Sequence, residues 1–282
     1  MSMTALVSAF ARAYHTGHEG AKIYDNRYAR RLLTDEEYDK IAIHMAAGVS
    51  FFDPGFQGKA DTALRRVMEG FLSPTPLARA AFAAEEMARS GAEQVLSLAA
   101  GYDTMGYDSG LPVFELDRPE VLADKQARLL RAGIAAEKVH FVPADLSQPD
   151  WPTVLRAAAF DAAERTFCAV MGLSYYLTAA EMERLLASLS DLLSAGSRIV
   201  LDVPTAVQAI QGTLAAGAGE TMRAVYDRDL LEAMADRCGL RASTWLTPQD
   251  IQARFFAPYN AEHPGYPMYA PRDVAYAVLT KA

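Results

Sequence analysis

The stretch Val95-Leu96-Ser97-Leu98-Ala99-Ala100-Gly101-Tyr102-Asp103-Thr104, followed by Val113-Phe114-Glu115-Leu116-Asp117, decides the fold. An apolar run of strand length stops in three small residues, and a second apolar run closes on two carboxylates. This is the βαβ arrangement that holds an adenosine-type cofactor: small residues let backbone approach the ligand, and an acid at the next strand end binds two ribose hydroxyls. Asp117 has a second reading as the N-cap of a helix opening near Pro119. Glu115 shares the face of Asp117 only if the strand persists that far, where it could contact the backbone of the turn.

Working outward, the segment before residue 94 is helical in pattern, with an amphipathic opening near residues 3–14 and a break at Leu72-Ser73-Pro74-Thr75-Pro76. From 94 onward strands and helices alternate. The expected strands are 94–99, 112–116, 138–142, 166–171 and 197–203, with two more at 241–247 and 272–279. A helix from Pro119 should stop at Gly133. Thr178 and Glu181 form a capping box, and the helix they open should end at Gly196. Such alternation specifies an α/β fold, a mostly parallel sheet covered by helices on both faces. The Gly- and Ala-rich segment 204–226 reads as a helical insert or lid, 227–237 as a helix, and 257–271 as an ordered loop. The expected organisation is a single domain with an N-terminal helical cap (1–90), a cofactor-binding core (91–203) and a lid with the final strands (204–282).

Composition narrows the function. The 282 residues, 51% hydrophobic, suffice for one sizeable core, and the net charge of −8 with no basic cluster argues against nucleic acid and anionic membrane surfaces. Cys168 and Cys238 lack metal-ligand spacing and read as core residues, so no metal is expected. The N-terminal apolar run is too short for a signal peptide, and no run of about 18 apolar residues exists, so the expected location is the cytoplasm. The turn lacks GxGxxG spacing, which argues against an NAD-dependent oxidoreductase.

The line Val113-Phe-Glu-Leu-Asp117-x-Pro119-x-Val121-x-x-x-Lys125, after the Ala-Ala-Gly-Tyr-Asp-Thr turn, resembles the leucine carboxyl methyltransferase family. Supporting pieces recur in order: Tyr24-Asp25-Asn26-Arg27-Tyr28-Ala29, Asp145-Leu146, Asp150-Trp151, Phe160-Asp161, Gly172-Leu173-Ser174-Tyr175-Tyr176-Leu177 and Gly196-Ser197-Arg198. The resemblance, over roughly residues 5–205, implies a Rossmann-like class I methyltransferase using S-adenosylmethionine, with seven strands, the last antiparallel, and extra N-terminal helices. It implies that Ala99, Ala100 and Gly101 approach the amino acid part of the cofactor and that Asp117, beside Arg118, binds the ribose. Asp145 would accept from the adenine amine while Leu146 packs on its ring, and Arg79 would meet the cofactor carboxylate. Three positions depart from the family. Ala99 replaces the first glycine of the turn, which is tolerable if its φ is negative. Met105 replaces a frequent arginine. Met171, before Gly172, replaces a glutamate expected to hold the methionine amine, so either another acceptor such as Asp103 serves or cofactor affinity is reduced.

Transfer to oxygen needs an acceptor held in line with the sulfur–methyl bond in a dry site. A carboxylate, with a pKa of about 4, needs no base, whereas a phenol, at about 10, would gain from one. No His-Asp constellation is evident, and His15, His18, His44, His140 and His263 read as structural or solvated, which favours methylation of a carboxylate on a small molecule or peptide terminus. A phenol or enol of a polyketide-like secondary metabolite is the alternative within the class; a cofactor-binding protein without transferase activity is the alternative outside it. Tyr175 and Tyr176, at the carboxyl edge of the sheet, are candidates to orient the acceptor in catalysis. Arg12 and Tyr14 on the first helix, and Tyr226, are candidates to bind the substrate.

Overall fold

The computed structural model describes residues 3–207, 213, 216–217 and 221–282, apart from the side chains of residues 60 and 61. The strands are β1 (Gln94–Leu98), β2 (Val113–Asp117), β3 (Val139–Pro143), β4 (Thr166–Val170), β5 (Arg198–Pro204), β6 (Leu240–Leu246) and β7 (Val274–Lys281). They form one sheet in the order β3-β2-β1-β4-β5-β7-β6. The first five are parallel, and β7 runs antiparallel between β5 and β6. Every residue of β1 and β4 is buried, which is why these central strands are short and nearly continuously apolar.

Among the described residues six helices precede the sheet: α1 (Met3–Thr16), α2 (Ala29–Leu32), α3 (Asp35–Ala47), α4 (Val49–Phe52), α5 (Ala60–Val67) and α6 (Pro74–Ser90). A π-helical turn, Met68–Leu72, joins α5 to α6. Later come α7 (Pro119–Ala132), α8 (Trp151–Ala157), α9 (Ala179–Leu192), α10 (Arg228–Arg237), α11 (Pro248–Ile251) and α12 (Ala257–Glu262). One core fills the face under α8, α9 and α10, with Leu155, Leu186, Leu189 and Leu231 meeting Leu96, Cys168 and Ile199. A second lies under α6, with Phe82 and Leu77 against Phe167 and Val200. A third joins α1 and α2 to the sheet through Phe10, Leu32 and Tyr102.

Several boundaries follow from local chemistry. Gly133 takes φ +58° and closes α7 as expected, its N–H reaching the Leu129 and Leu130 carbonyls. Thr178 and Glu181 cap α9 reciprocally. That helix ends at Leu192, however, short of Gly196, whose φ of +82° serves the turn into β5 instead. The 257–271 region is also not wholly loop: α12 occupies its first part, continuing from α11 through a π-helical turn, Gln252–Phe256. Much of the lid expected at 204–226 lies outside the described residues. No described helix is long and apolar enough to cross a membrane.

Candidate active site

Chain order reverses on either side of β1, which has β2 on one side and β4 on the other. Ligands bind at such a switch point, outside the carboxyl ends of the strands. Here the loops after β1, β2, β3 and β4, roofed by α1 and α3, surround a cavity of about 1620 Å³. Single-ligand sites span roughly 300–1,000 Å³, so this cleft has room for a nucleotide-sized molecule and a second compound beside it.

The turn after β1 is pinned to β2. The Ala100 N–H reaches the Leu116 carbonyl at 3.2 Å, and the Gly101 N–H donates to Asp117 Oδ2 at 2.8 Å. Asp117 Oδ1 accepts from the Arg118 N–H at 2.8 Å. Ala99 adopts φ +51°, so the condition of a negative angle is not met: the methyl group sits in the left-handed region that glycine occupies freely. Gly101, at φ +47°, packs under α1, and a Cβ there would lie 3.1 Å from Ala5 Cβ.

Beneath the turn, β2 persists through Glu115, which is buried with Lys125 of α7 in an ion pair of 2.6 Å. The Lys125 ammonium also donates to the Asp103 carbonyl. Burial pushes the Glu115 carboxyl above its ordinary value, and Lys125 opposes that shift. Glu115 therefore reaches the turn after β1 through Lys125. From above, Arg12 Nη2 donates to the Tyr102 carbonyl at 3.1 Å. Arg12 is only 4% exposed, lines the cleft, and its Nε has no hydrogen-bond partner among the described residues.

At the end of β4, a second cluster forms around Asp202 of β5. This carboxylate is fully buried. It accepts from the Gly172 N–H at 2.6 Å and the Tyr175 hydroxyl at 3.0 Å, and lies 3.1 Å from Arg79 Nε. Gly172 is required twice over: its φ is +76°, and a Cβ would fall 2.3 Å from Arg79 Nη1. Arg79 thus has one edge on Asp202 and its Nη1 end on Gly172 at the cleft wall. Asp202 was not singled out from the sequence, although a carboxylate inside the apolar run Ile199–Pro204 is itself a signal of a buried polar role. Tyr175 lines the cleft, yet its ring is buried and its hydroxyl committed to Asp202; burial first, then Asp202, raises its pKa.

Of the remaining sequence candidates, Arg118, Asp145, Leu146, Met171 and Tyr176 all line the cleft. The Ser147 N–H bonds Asp145 Oδ1 at 2.9 Å and holds that carboxyl below its usual range. Two candidates stand elsewhere. Tyr14 packs beside Phe10 and His18, away from the cavity lining, and burial pushes its hydroxyl up to about 12. Tyr226 is completely buried and donates to the Leu177 carbonyl at 2.8 Å, so it braces the loop after β4 and does not touch the cleft. Sequence reasoning missed α3: none of its residues is buried, and Lys40, Ile41, His44 and Met45 form one wall of the cavity. Among the described residues no cluster of His, Cys, Asp and Glu is arranged to hold a metal.

Comparison with known proteins agrees with this architecture. The sequence profile of the leucine carboxyl methyltransferase family matches residues 5–190. The protein named "Putative S-adenosyl-L-methionine-dependent methyltransferase YktD" of Bacillus subtilis is 32% identical over 279 residues, covering 91% of each chain. A protein of Mycobacteroides abscessus with the same description, apart from the final name, is 32% identical over 168 residues, 57% of this chain and 56% of its own. Among solved structures, a DUF574 family protein from Streptomyces avermitilis superposes with a TM-score of 0.60 at 17% identity, covering 98% of this chain and 97% of that one. A putative methyltransferase from Thermobifida fusca gives 0.54 at 15% identity, covering 99% and 94%. These two likenesses concern the fold.

Proposed function

The chain belongs to the leucine carboxyl methyltransferase family, and from that premise we propose that this S-adenosylmethionine-dependent methyltransferase esterifies a carboxylate, on a small molecule or a peptide terminus. The cofactor supplies an electrophilic methyl group on a sulfonium. The residues present fit it. Gly101 and Gly172 line the cavity in left-handed conformations that bring the main chain to its wall, and the Arg79 guanidinium stands beside Gly172.

The backbone of residues 99–101 would approach the amino acid part, and Arg79 would hold its carboxylate. Asp117 receives the ribose hydroxyls. Each of its oxygens already accepts one backbone N–H, but a carboxylate has about four lone-pair sites, so both remain open to a donor. Asp145 and Leu146 take the adenine. Phe71, Leu72, Met105 and Met171 add apolar surface to the cavity wall, which would favour a dry site once the cleft is filled.

The observation that carries the choice of acceptor is Arg12. A guanidinium 4% exposed and bonded through Nη2 to one neutral carbonyl is a costly arrangement, and an anion in the cavity that Arg12 lines would offset that cost. A carboxylate oriented there is already ionised at neutral pH and attacks without a base. A second reading, transfer to a phenol or enol, is favoured by His44, which stands on the cleft wall where it could take a hydroxyl proton.

The test uses methyl-labelled S-adenosylmethionine with a panel of carboxylic acids and phenols. A methyl ester releases its label as volatile methanol on alkaline treatment, and an aryl ether does not. Alkali-labile label supports the carboxylate; alkali-stable label that disappears in His44→Ala supports the hydroxyl. Arg12→Gln should raise the acceptor KM about ten-fold while leaving S-adenosylhomocysteine affinity nearly unchanged. The reverse pattern would reassign Arg12 to the cofactor.

A further inference from the structure

Resting on the reading that the cofactor's amino acid end lies against the turn, we propose that Asp103 is the carboxylate that receives its ammonium group, and that the buried Glu115–Lys125 pair is the device that positions Asp103. At position 171 the chain offers only a thioether. Asp202 is fully buried and already engaged by Gly172, Tyr175 and Arg79. Asp117 caps β2 and Asp145 the loop after β3, toward the ribose and adenine ends. Asp103 is half-buried, lines the cavity beside the turn, and has Oδ1 bonded by the Thr104 N–H at 2.7 Å. Asp103 thus has one carboxylate oxygen held by the chain and stands in the cavity wall.

Both backbone polar groups of Asp103 are bonded. The Asp103 N–H reaches the Ala100 carbonyl at 2.9 Å, and its own carbonyl receives the Lys125 ammonium. Lys125 is 0% exposed and Glu115 2%, and the ammonium also stands 5.7 Å over the Tyr107 ring. A buried ion pair adds little net stability over an apolar pair of similar volume. This pair does something an apolar one cannot: it delivers a donor from α7 to the carbonyl of the residue whose side chain meets the ligand.

Calorimetric titration with two ligands tests the proposal: S-adenosylhomocysteine, which carries the ammonium and carboxylate, and methylthioadenosine, which lacks both. Asp103→Asn should weaken S-adenosylhomocysteine about ten-fold and change methylthioadenosine less than two-fold. The double variant Glu115→Leu with Lys125→Met should show the same selective loss, and adding Asp103→Asn to it should cause little further loss, since both act on one contact. Equal losses for both ligands, an unchanged S-adenosylhomocysteine affinity in Asp103→Asn, or fully additive effects would overturn it. A wild-type protein that bound neither ligand would overturn the underlying cofactor reading as well.

Discussion

The Gly101 N–H donates to Asp117 Oδ2 at 2.8 Å, tying the turn after β1 to the acidic end of β2. One carboxylate therefore shapes the backbone of the turn and, on the proposed reading, offers its remaining lone pairs to the ligand. Gly101→Ala strains this junction, because φ is +47° and the new Cβ would meet Ala5 at 3.1 Å. The expected outcome is a loss of about 1–2 kcal/mol in denaturant-induced unfolding, together with weaker S-adenosylhomocysteine binding as α1 is pushed off the turn.

Ala99 offers the opposite change. Its φ of +51° carries a side-chain penalty that glycine relieves. Ala99→Gly should stabilise the protein by about 1 kcal/mol after the greater flexibility of the unfolded chain is subtracted. Chemical denaturation would reveal it as a higher midpoint at unchanged slope, and a lower midpoint would contradict the assigned backbone.

Met171→Glu places a carboxylate in the cleft near Gly172. With Asp103 already holding the ammonium, this change alone should alter S-adenosylhomocysteine affinity less than about two-fold, whereas in the Asp103→Asn background it should restore most of the lost binding. A large gain in the otherwise wild-type protein would mean that the amine lies beside residue 171 and lacks a partner.

The helical cap should be acid-sensitive through His15. This imidazole is buried, accepts from the Ile23 N–H at 3.0 Å, and is pushed by burial down to about 3. The unfolded chain binds a proton at about pH 6.5, so below that value the unfolded state holds more protons than the native one. Stability is complete above about pH 6.5 and declines as pH falls, by at most about 1.4 kcal/mol per pH unit from this group. Thermal melts of wild type against His15→Gln between pH 7 and 5 should show a flatter dependence in the variant.

The sheet, the turn after β1 and the carboxylate closing β2 are legible because each rests on local rules: apolar runs of strand length, small residues at a tight turn, and capping residues such as Thr178. Side-chain partnerships across the fold are not. Nothing near Arg79 in sequence says that Asp202 stands 3.1 Å away, and nothing near Tyr226 or Tyr14 says that their rings turn from the cleft. Alanine at 99 reads as compatible with ordinary angles, since only the pairing of β1 with β2 forces the left-handed turn. The ion pair of Glu115 and Lys125 shows the intermediate case, where both residues stood out in the motif but their partnership needed α7 folded onto β2.

Calorimetric titration of S-adenosylhomocysteine into wild type and Asp117→Ala tests most directly that the cleft beside Gly101 holds the adenosyl group. The account predicts clear binding to wild type and a loss of about 1.5–3 kcal/mol in the variant, as two hydroxyls lose an ionised acceptor. Equal affinity in the two proteins would place the sugar elsewhere and contradict the site.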